Sequence, residues 1–307
     1  MMRRIAIIAA IGLAPAHAFA GPSAIGSVER PLTVILIPAD GGTEDGTKAD
    51  FLPVFNAVTK TTGLQFKLRV GQSYNAVVEA ICNGSADIAF FGPVSYVQAH
   101  QRGCADLLAV AVEKGSSTYF AGIFVKASSP IKTIKDLKDK RVAFGDINSG
   151  SSFVFPMAMI LQAKLDPTRD LAAIRMTGSH ANSLAALTQG QVDAASLSFD
   201  SYEKAVNQGT IASSQYRVVA RSIPIPNPPL GMSNRLPSAM KLKLKAAFAN
   251  VAHAPGVSPD MIRGYGGKTV DGYDSAYPEK KYAVAAQLMA QIDDGLKGEI
   301  LKKASKP

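Results

Sequence analysis

Apolar positions along the chain alternate between the period of a strand and that of a helix. Residues 32–38 form a continuous apolar run, the pattern of a buried strand. Phe51, Leu52, Phe55 and Val58 then recur at helical spacing, and Gly63 ends the pattern. Leu64, Phe66, Leu68 and Val70 alternate with polar residues, as in a half-buried strand. Ser73 is placed to cap a helix carrying Val77, Val78 and Ile81, closed by Asn83-Gly84, and residues 86–91 read as the next strand. The theme recurs downstream. A short helix and turn over 134–140 precede a strand at 141–144, and a helix over 153–163 precedes a strand at 172–176. A helix over 182–189 then ends at Gly190 before a strand at 192–197. Strands and helices in alternation predict an α/β fold.

One unit occurs twice. A helix, then Gly84-Ser-Ala-Asp87, then a strand is echoed by a helix, then Gly190-Gln-Val-Asp193, then a strand, as two similar lobes require. Between the units, 108–125 is strand-like and broken at Gly115-Ser-Ser117. After the second, a strand at 216–222 leads into the rigid Ile223-Pro-Ile-Pro-Asn-Pro-Pro229. Two extended crossovers of this kind predict a hinge between lobes that close on a ligand. The expected division is 30–115 with 222–307 as a discontinuous first lobe and 116–221 as the second. Helices over 238–251 and 281–293 complete the first lobe in this reading, and Lys302, Lys303 and Lys306 form a solvated tail.

The N-terminus reads as an address. A basic Met1-Met-Arg-Arg4, a short apolar run over 5–13 and Ala16-His-Ala18-Phe-Ala20 make a secretory signal peptide over 1–20. Cleavage is expected after Ala20, with Ala18 as the alternative, and no cysteine stands there to carry a lipid. Export implies an oxidising compartment, where Cys82 and Cys104 are expected as a disulfide; two buried small hydrophobes are the alternative. The 307 residues carry a formal charge of +9, which admits an anionic partner, although Arg3 and Arg4 belong to the leader. Two cysteines and four histidines without ligand spacing argue against a metal site, and no cofactor is implied. The absence of tryptophan, the export signal and the lack of a clustered basic motif argue against nucleic acid.

Asp146-Ile-Asn-Ser-Gly-Ser-Ser-Phe153 joins a strand to a helix. Backbone amides and hydroxyls at such a turn, with the helix dipole behind them, suit a small tetrahedral anion. It is neither a Walker loop nor GxGxxG, and an ordinary capped helix start is the competing reading. His180, in Gly178-Ser-His180, is a second candidate donor or a structural histidine. Asp200 follows a strand, where open α/β sheets place ligand groups, or serves a helix N-terminus. Ser149 or Ser151, His180 and Asp200 also include the residue types of a hydrolytic triad, but no Gly-x-Ser-x-Gly elbow accompanies them.

Four segments occur in order: Phe91-Gly-Pro-Val-Ser-Tyr96, Ile134-Lys-Asp-Leu-Lys-Asp-Lys-Arg-Val-Ala-Phe144, Asp146-Ile-Asn-Ser-Gly-Ser-Ser-Phe-Val-Phe-Pro156 and Gly178-Ser-His180. Together they resemble the phosphate/phosphite/phosphonate-binding family of periplasmic proteins that serve ABC transporters. The similarity runs from about Leu32 to about Met232. It implies a two-lobed, type II periplasmic binding protein of the Venus-flytrap kind, with a hinge of two crossover strands. It also implies a ligand set: Ser149, Gly150 and Ser151 in the serine turn, His180, Tyr74, Ser95 in the first segment, and Tyr119 on the crossover. Asp200 matches one of two acids that aminophosphonate binders use for the ligand ammonium, whereas Asn227 stands at the second. Gly150 replaces the family's usual threonine, so one hydroxyl is absent. Loss of a carboxylate at Asn227 predicts weaker selection for aminoalkyl phosphonates.

The function expected is capture of a small phosphorus oxyanion by a monomer that delivers it to a membrane ABC permease, without catalysis. A sensor reporting to a membrane signalling partner uses the same closing module and stands as the alternative; a serine hydrolase is the remote one.

Overall fold

The computed structural model describes residues 24–38 and 43–306. The predicted leader over 1–20 lies outside the described residues. The chain begins β1 (Leu32–Leu36), α1 (Glu44–Thr62), β2 (Phe66–Val70), α2 (Tyr74–Asn83), β3 (Ile88–Phe90), α3 (Pro93–Gln101) and β4 (Ala105–Val112). It continues through β5 (Thr118–Tyr119), β6 (Ala121–Lys126), β7 (Arg141–Phe144), α4 (Phe155–Gln162), β8 (Ala173–Met176), α5 (His180–Thr188), β9 (Ala194–Ser198), α6 (Phe199–Asn207) and β10 (Tyr216–Arg221). It ends with β11 (Ile225–Pro226), β12 (Pro229–Ser233), α7 (Ser238–Asn250), β13 (Gly272–Asp274), α8 (Ala283–Gln291) and α9 (Asp294–Ala304).

Two sheets organise these elements. One has the strand order β13-β4-β12-β3-β1-β2, and the other β10-β6-β9-β7-β8. In the first, β1 runs parallel to β2 and β3, whereas β12 is antiparallel to β3 and β4. In the second, β7 is parallel to β8 and β9, with β6 antiparallel beside β9. The expected crossovers pair with each other: Ile225 of β11 faces Tyr119 of β5, and Pro226 faces Thr118. This short ribbon is the two-stranded connection between the lobes.

The local rules behind the elements are visible. Thr43 Oγ1 accepts the Gly46 amide at the start of α1, and the helix buries Phe51, Val54, Phe55 and Val58. The central strands β1, β3, β7 and β9 are largely buried, their apolar residues packed under helices in each mixed sheet. Cys82, in α2, is disulfide-bonded to Cys104, just before β4, across a sequence separation of 22. Closing a loop of that length stabilises the fold by about 3 kcal/mol on chain-entropy grounds.

The repeated Gly-x-x-Asp unit has the same task in each lobe. Asp87 Oδ2 accepts the Thr33 amide at 2.8 Å, while the Asp87 amide donates to the Thr33 carbonyl at 2.9 Å. Asp193 Oδ2 accepts the Arg141 amide at 2.9 Å, and its amide donates to the Arg141 carbonyl at 2.9 Å. Each aspartate therefore clamps the first residues of a central strand, β1 or β7.

Three expectations are revised. The helix predicted from residue 153 starts earlier, as a wide turn over Gly150–Val154. The stretch 281–293 is not one helix: α8 stops at Gln291 and Asp293 caps a new one, its carboxylate accepting the Leu296 amide. That new helix, α9, lies against β8. Lys303 is accordingly not part of a solvated tail. Its Nζ donates to the Thr168 carbonyl at 2.8 Å and to that of Leu171 at 2.5 Å, capping a loop of the second lobe. No helix among the described residues is long and apolar enough to cross a membrane.

Replacing Asp87 or Asp193 with Ala should cost about 1–2 kcal/mol each, by orphaning a strand amide. The Arg141 guanidinium hydrogen-bonded to Asp193 holds that carboxyl below its ordinary value. Its stabilising contribution is therefore present above the unfolded-chain pKa of about 3.9 and lost as pH falls through the lower native value. In denaturant titrations, the gap between wild type and Asp193→Ala should be full at neutral pH and shrink on acidification; a gap that grows below about pH 4 contradicts the assignment.

Candidate functional site

A helix that follows a parallel strand opens at the strand's carboxyl edge, with its first amides pointing outward. Here β2 leads to α2, β3 to α3, β7 to the Gly150 turn and α4, β8 to α5, and β9 to α6. The two sheets present these edges to each other, so helix N-termini from both lobes meet in one cleft. Contacts across the cleft are direct. Asp146 Oδ2 accepts the Tyr74 amide at 3.2 Å, and Asn148 Oδ1 accepts from Gln98 Nε2 at 2.9 Å. Lys204 Nζ lies 2.9 Å from Asp50 Oδ2, and Ser201 Oγ 2.9 Å from the Tyr265 hydroxyl. The lobes are closed on each other.

The serine turn is the most polar buried element of this seam. Ser149, Ser151 and Ser152 are 1, 2 and 1 % exposed. Ser149 caps the turn: its Oγ accepts the Ser152 amide at 3.2 Å, and its carbonyl accepts from Val154, five residues on. Bonds of that span widen the turn, and the Gly150 and Ser151 amides at its head have no carbonyl a turn before them. The Tyr119 hydroxyl donates to Ser151 Oγ at 3.2 Å. Burial pushes the Tyr119 phenol well above its ordinary pKa, so it remains a donor. Ser151, already accepting from Tyr119, keeps its own hydroxyl proton for another acceptor. Gly150 abuts the other lobe: a Cβ there would lie 3.6 Å from Pro93 Cδ and 3.7 Å from Val94 Cγ2, ordinary contact distances. The missing side chain is thus a matter of chemistry at this seam and not of steric need.

The other expected residues fall around the same seam, with different tasks. Tyr74 opens α2 and is 2 % exposed, with its ring packed beside Gly92. Ser95 is fully buried, and its Oγ is within 3.1 Å of both the Gly92 amide and the Gly92 carbonyl. It therefore fixes the head of α3. His180 is 1 % exposed and opens α5; its Nδ1 accepts the Ser198 amide at 3.1 Å. The neutral ring thus carries its proton on Nε2, a hydrogen-bond donor. This tautomer also opposes the hydrolytic triad, which requires a proton on Nδ1 facing a carboxylate. Asp200 sits in the first turn of α6, whose cap is Ser198, and its carboxylate is paired with the Lys268 ammonium. Asn227 turns its side-chain amide to the Ala111 carbonyl at 2.9 Å, and its own carbonyl accepts from the Tyr282 hydroxyl at 2.7 Å.

Sequence reasoning missed Tyr265, Glu113 and Lys268. The Tyr265 ring centroid lies 6.4 Å from those of both Tyr119 and His180, so it links the two sides of the cleft. Glu113 directly follows β4 at the cleft edge, and that position after a strand was the available signal. Lys268 lies beyond Met232, where the likeness read from the sequence ends, and nothing in the local pattern marks it.

Known proteins share the two-lobed fold. The profile described as ABC transporter, phosphonate, periplasmic substrate-binding protein matches residues 42–276. The phosphate-import protein PhnD of Mycolicibacterium smegmatis is 28% identical over 234 residues, 72% of each chain. The phosphonates-binding periplasmic protein of Escherichia coli is 25% identical over 248 residues, 79% of this chain and 70% of that one. Among solved structures, a binding protein of an ABC phosphonate transporter from Pseudomonas aeruginosa superposes with a TM-score of 0.75 at 20% identity, covering 89% of this chain and 96% of that one. A Prochlorococcus marinus protein in complex with methylphosphonate gives 0.72 at 20% identity, covering 85% and 97%. The two-lobed architecture and a profile match over most of the chain place it in the family of periplasmic substrate-binding proteins of phosphonate ABC transporters, which bind and hand on a solute and are not enzymes.

Proposed function

We propose that this protein captures a small phosphorus oxyanion (phosphate, phosphite or a phosphonate) at the Ser149–Ser151 turn. It acts as a monomer in the periplasm, reached through the leader over 1–20, and delivers the anion to an ABC permease. The observation that carries this reading is the buried serine turn at the head of α4, closed over by the other lobe. Its donors are amides, hydroxyls and the Nε2 proton of His180, all neutral. They suit a tetrahedral anion, whose several oxygens each accept hydrogen bonds, and a dehydrated cleft strengthens each one. The relatives from Mycolicibacterium smegmatis and Escherichia coli, named for phosphate import and phosphonate binding, support the same ligand class. Closure couples recognition to delivery, because only the closed form brings both lobes' surfaces into one fixed relation.

Calorimetry with phosphate, phosphite and methylphosphonate should find at least one ligand of about micromolar affinity; no heat from any of them contradicts the reading. Ser149→Ala and His180→Ala should each weaken the best ligand by roughly 10- to 100-fold, the cost of a lost hydrogen bond to a charged group. Both variants should still melt in a single transition, with Ser149→Ala somewhat less stable because it also loses a cap. Unchanged affinity in both places the anion elsewhere.

A further inference from the structure

Three charged side chains meet at the closed cleft: Glu113 after β4, Asp200 in the first turn of α6, and Lys268 from the segment before β13. The Lys268 ammonium contacts both carboxylates at once. Its approach is built into the backbone. Gly266 and Gly267 have φ of 72° and 74°, a left-handed pair that turns the chain sharply between Tyr265 and Lys268. A Cβ on Gly267 would lie 2.3 Å from Asp50 Oδ1, so a side chain there would force Asp50 aside. Burial disfavours the lysine's charge, but the Asp200 and Glu113 carboxylates outweigh it and raise its pKa. The space left among Ala111, Glu113, Asp200, Asn227, Tyr265 and Lys268 is about 10 Å³. That is room for at most about one water molecule.

This triad adjoins the serine turn through the tyrosines. Tyr119 bonds Ser151 at one end, and the Asp200 charge acts on the same phenol. Tyr265, stacked edge-on to Tyr119, lines the space beside Lys268. An oxyanion seated at the turn therefore has its substituent flanked by these rings and by the carboxylate pair.

We propose that Lys268 is a specificity-determining residue, a tethered ammonium that occupies the Glu113–Asp200 pair and turns away oxyanions bearing a cationic tail. The assignment rests on the phosphorus-oxyanion reading above. A ligand ammonium entering here must displace Lys268 or sit beside it without a carboxylate of its own, and a half-buried cation so placed is disfavoured. A hydrogen, hydroxyl or methyl substituent needs no counter-charge and little room. The carboxylate absent at Asn227 is thus not the decisive departure; a second acid is present as Glu113, and the protein's own lysine has taken it.

Calorimetry of wild type and Lys268→Ala with methylphosphonate and 2-aminoethylphosphonate reads this directly. Wild type should prefer methylphosphonate. In Lys268→Ala the ratio of the aminoethyl to the methyl dissociation constant should fall by about tenfold or more, since the Lys268 ammonium no longer offsets the two carboxylates. Lys268→Met, which keeps the apolar stem, tests the same ratio if the alanine variant does not melt cooperatively. A wild type that prefers the aminoethyl compound overturns the role of Lys268, with or without folded variants. An unchanged ratio in a variant that still binds methylphosphonate also overturns it, and leaves the anion site standing. A wild type that binds neither compound, nor phosphate or phosphite, removes the anion reading and the lysine's role together.

Discussion

A helix entered from a parallel strand leaves its first amides unbonded at the strand's carboxyl edge, and the rest of this molecule is arranged around that constraint. Two sheets turn such edges towards each other, so the amides, hydroxyls and partial positive charges of several helices share one cleft. The donors at the serine turn are neutral, so the anion capture proposed for them calls for no counter-ions beforehand and little reorganisation on binding. The +9 charge of the chain is spread elsewhere and serves at most to draw anions in weakly. The lysines that do reach the cleft are spent on carboxylates, Lys204 on Asp50 and Lys268 on Glu113 and Asp200.

Closure completes the site. The head of α3 abuts Gly150, Asp146 holds the first amide of α2, and Tyr265 reaches Ser201 from the opposite lobe. These are short, local contacts at a seam, whereas the lobes are joined covalently through the slight β5–β11 ribbon. That combination suits a hinge: opening breaks a handful of hydrogen bonds and disturbs neither sheet. Lys303 works to a different end, pinning α9 to the second lobe beyond the seam.

Much of this was legible in the sequence because it is local. Strand–turn–helix patterning located the serine turn, His180 and Asp200, and the segment likeness added Tyr74, Ser95 and Tyr119. The Gly-x-x-Asp echo was visible as a repeat, but its task was not, since Asp87 and Asp193 each act on a strand that lies distant in sequence. The same limit hid the charge triad. Glu113 precedes the inserted lobe, Asp200 lies within it and Lys268 follows it, so only the folded chain brings them together. Asn227, read from sequence as standing where an acid would be, turns its side-chain amide to the Ala111 carbonyl, a partner no local pattern shows. The C-terminal lysines misled for a simpler reason: composition alone reads them as solvated, although Lys303 has two backbone carbonyls waiting for it.

The central claim is that the anion sits on the head of α4, under Tyr119. A crystal structure of the protein grown with methylphosphonate tests it most directly. The phosphonate oxygens should lie within hydrogen-bond distance, about 2.7–3.2 Å, of the Gly150 and Ser151 amides and of His180 Nε2. A phosphonate bound away from the serine turn, with the cleft closed as it is here, contradicts the account.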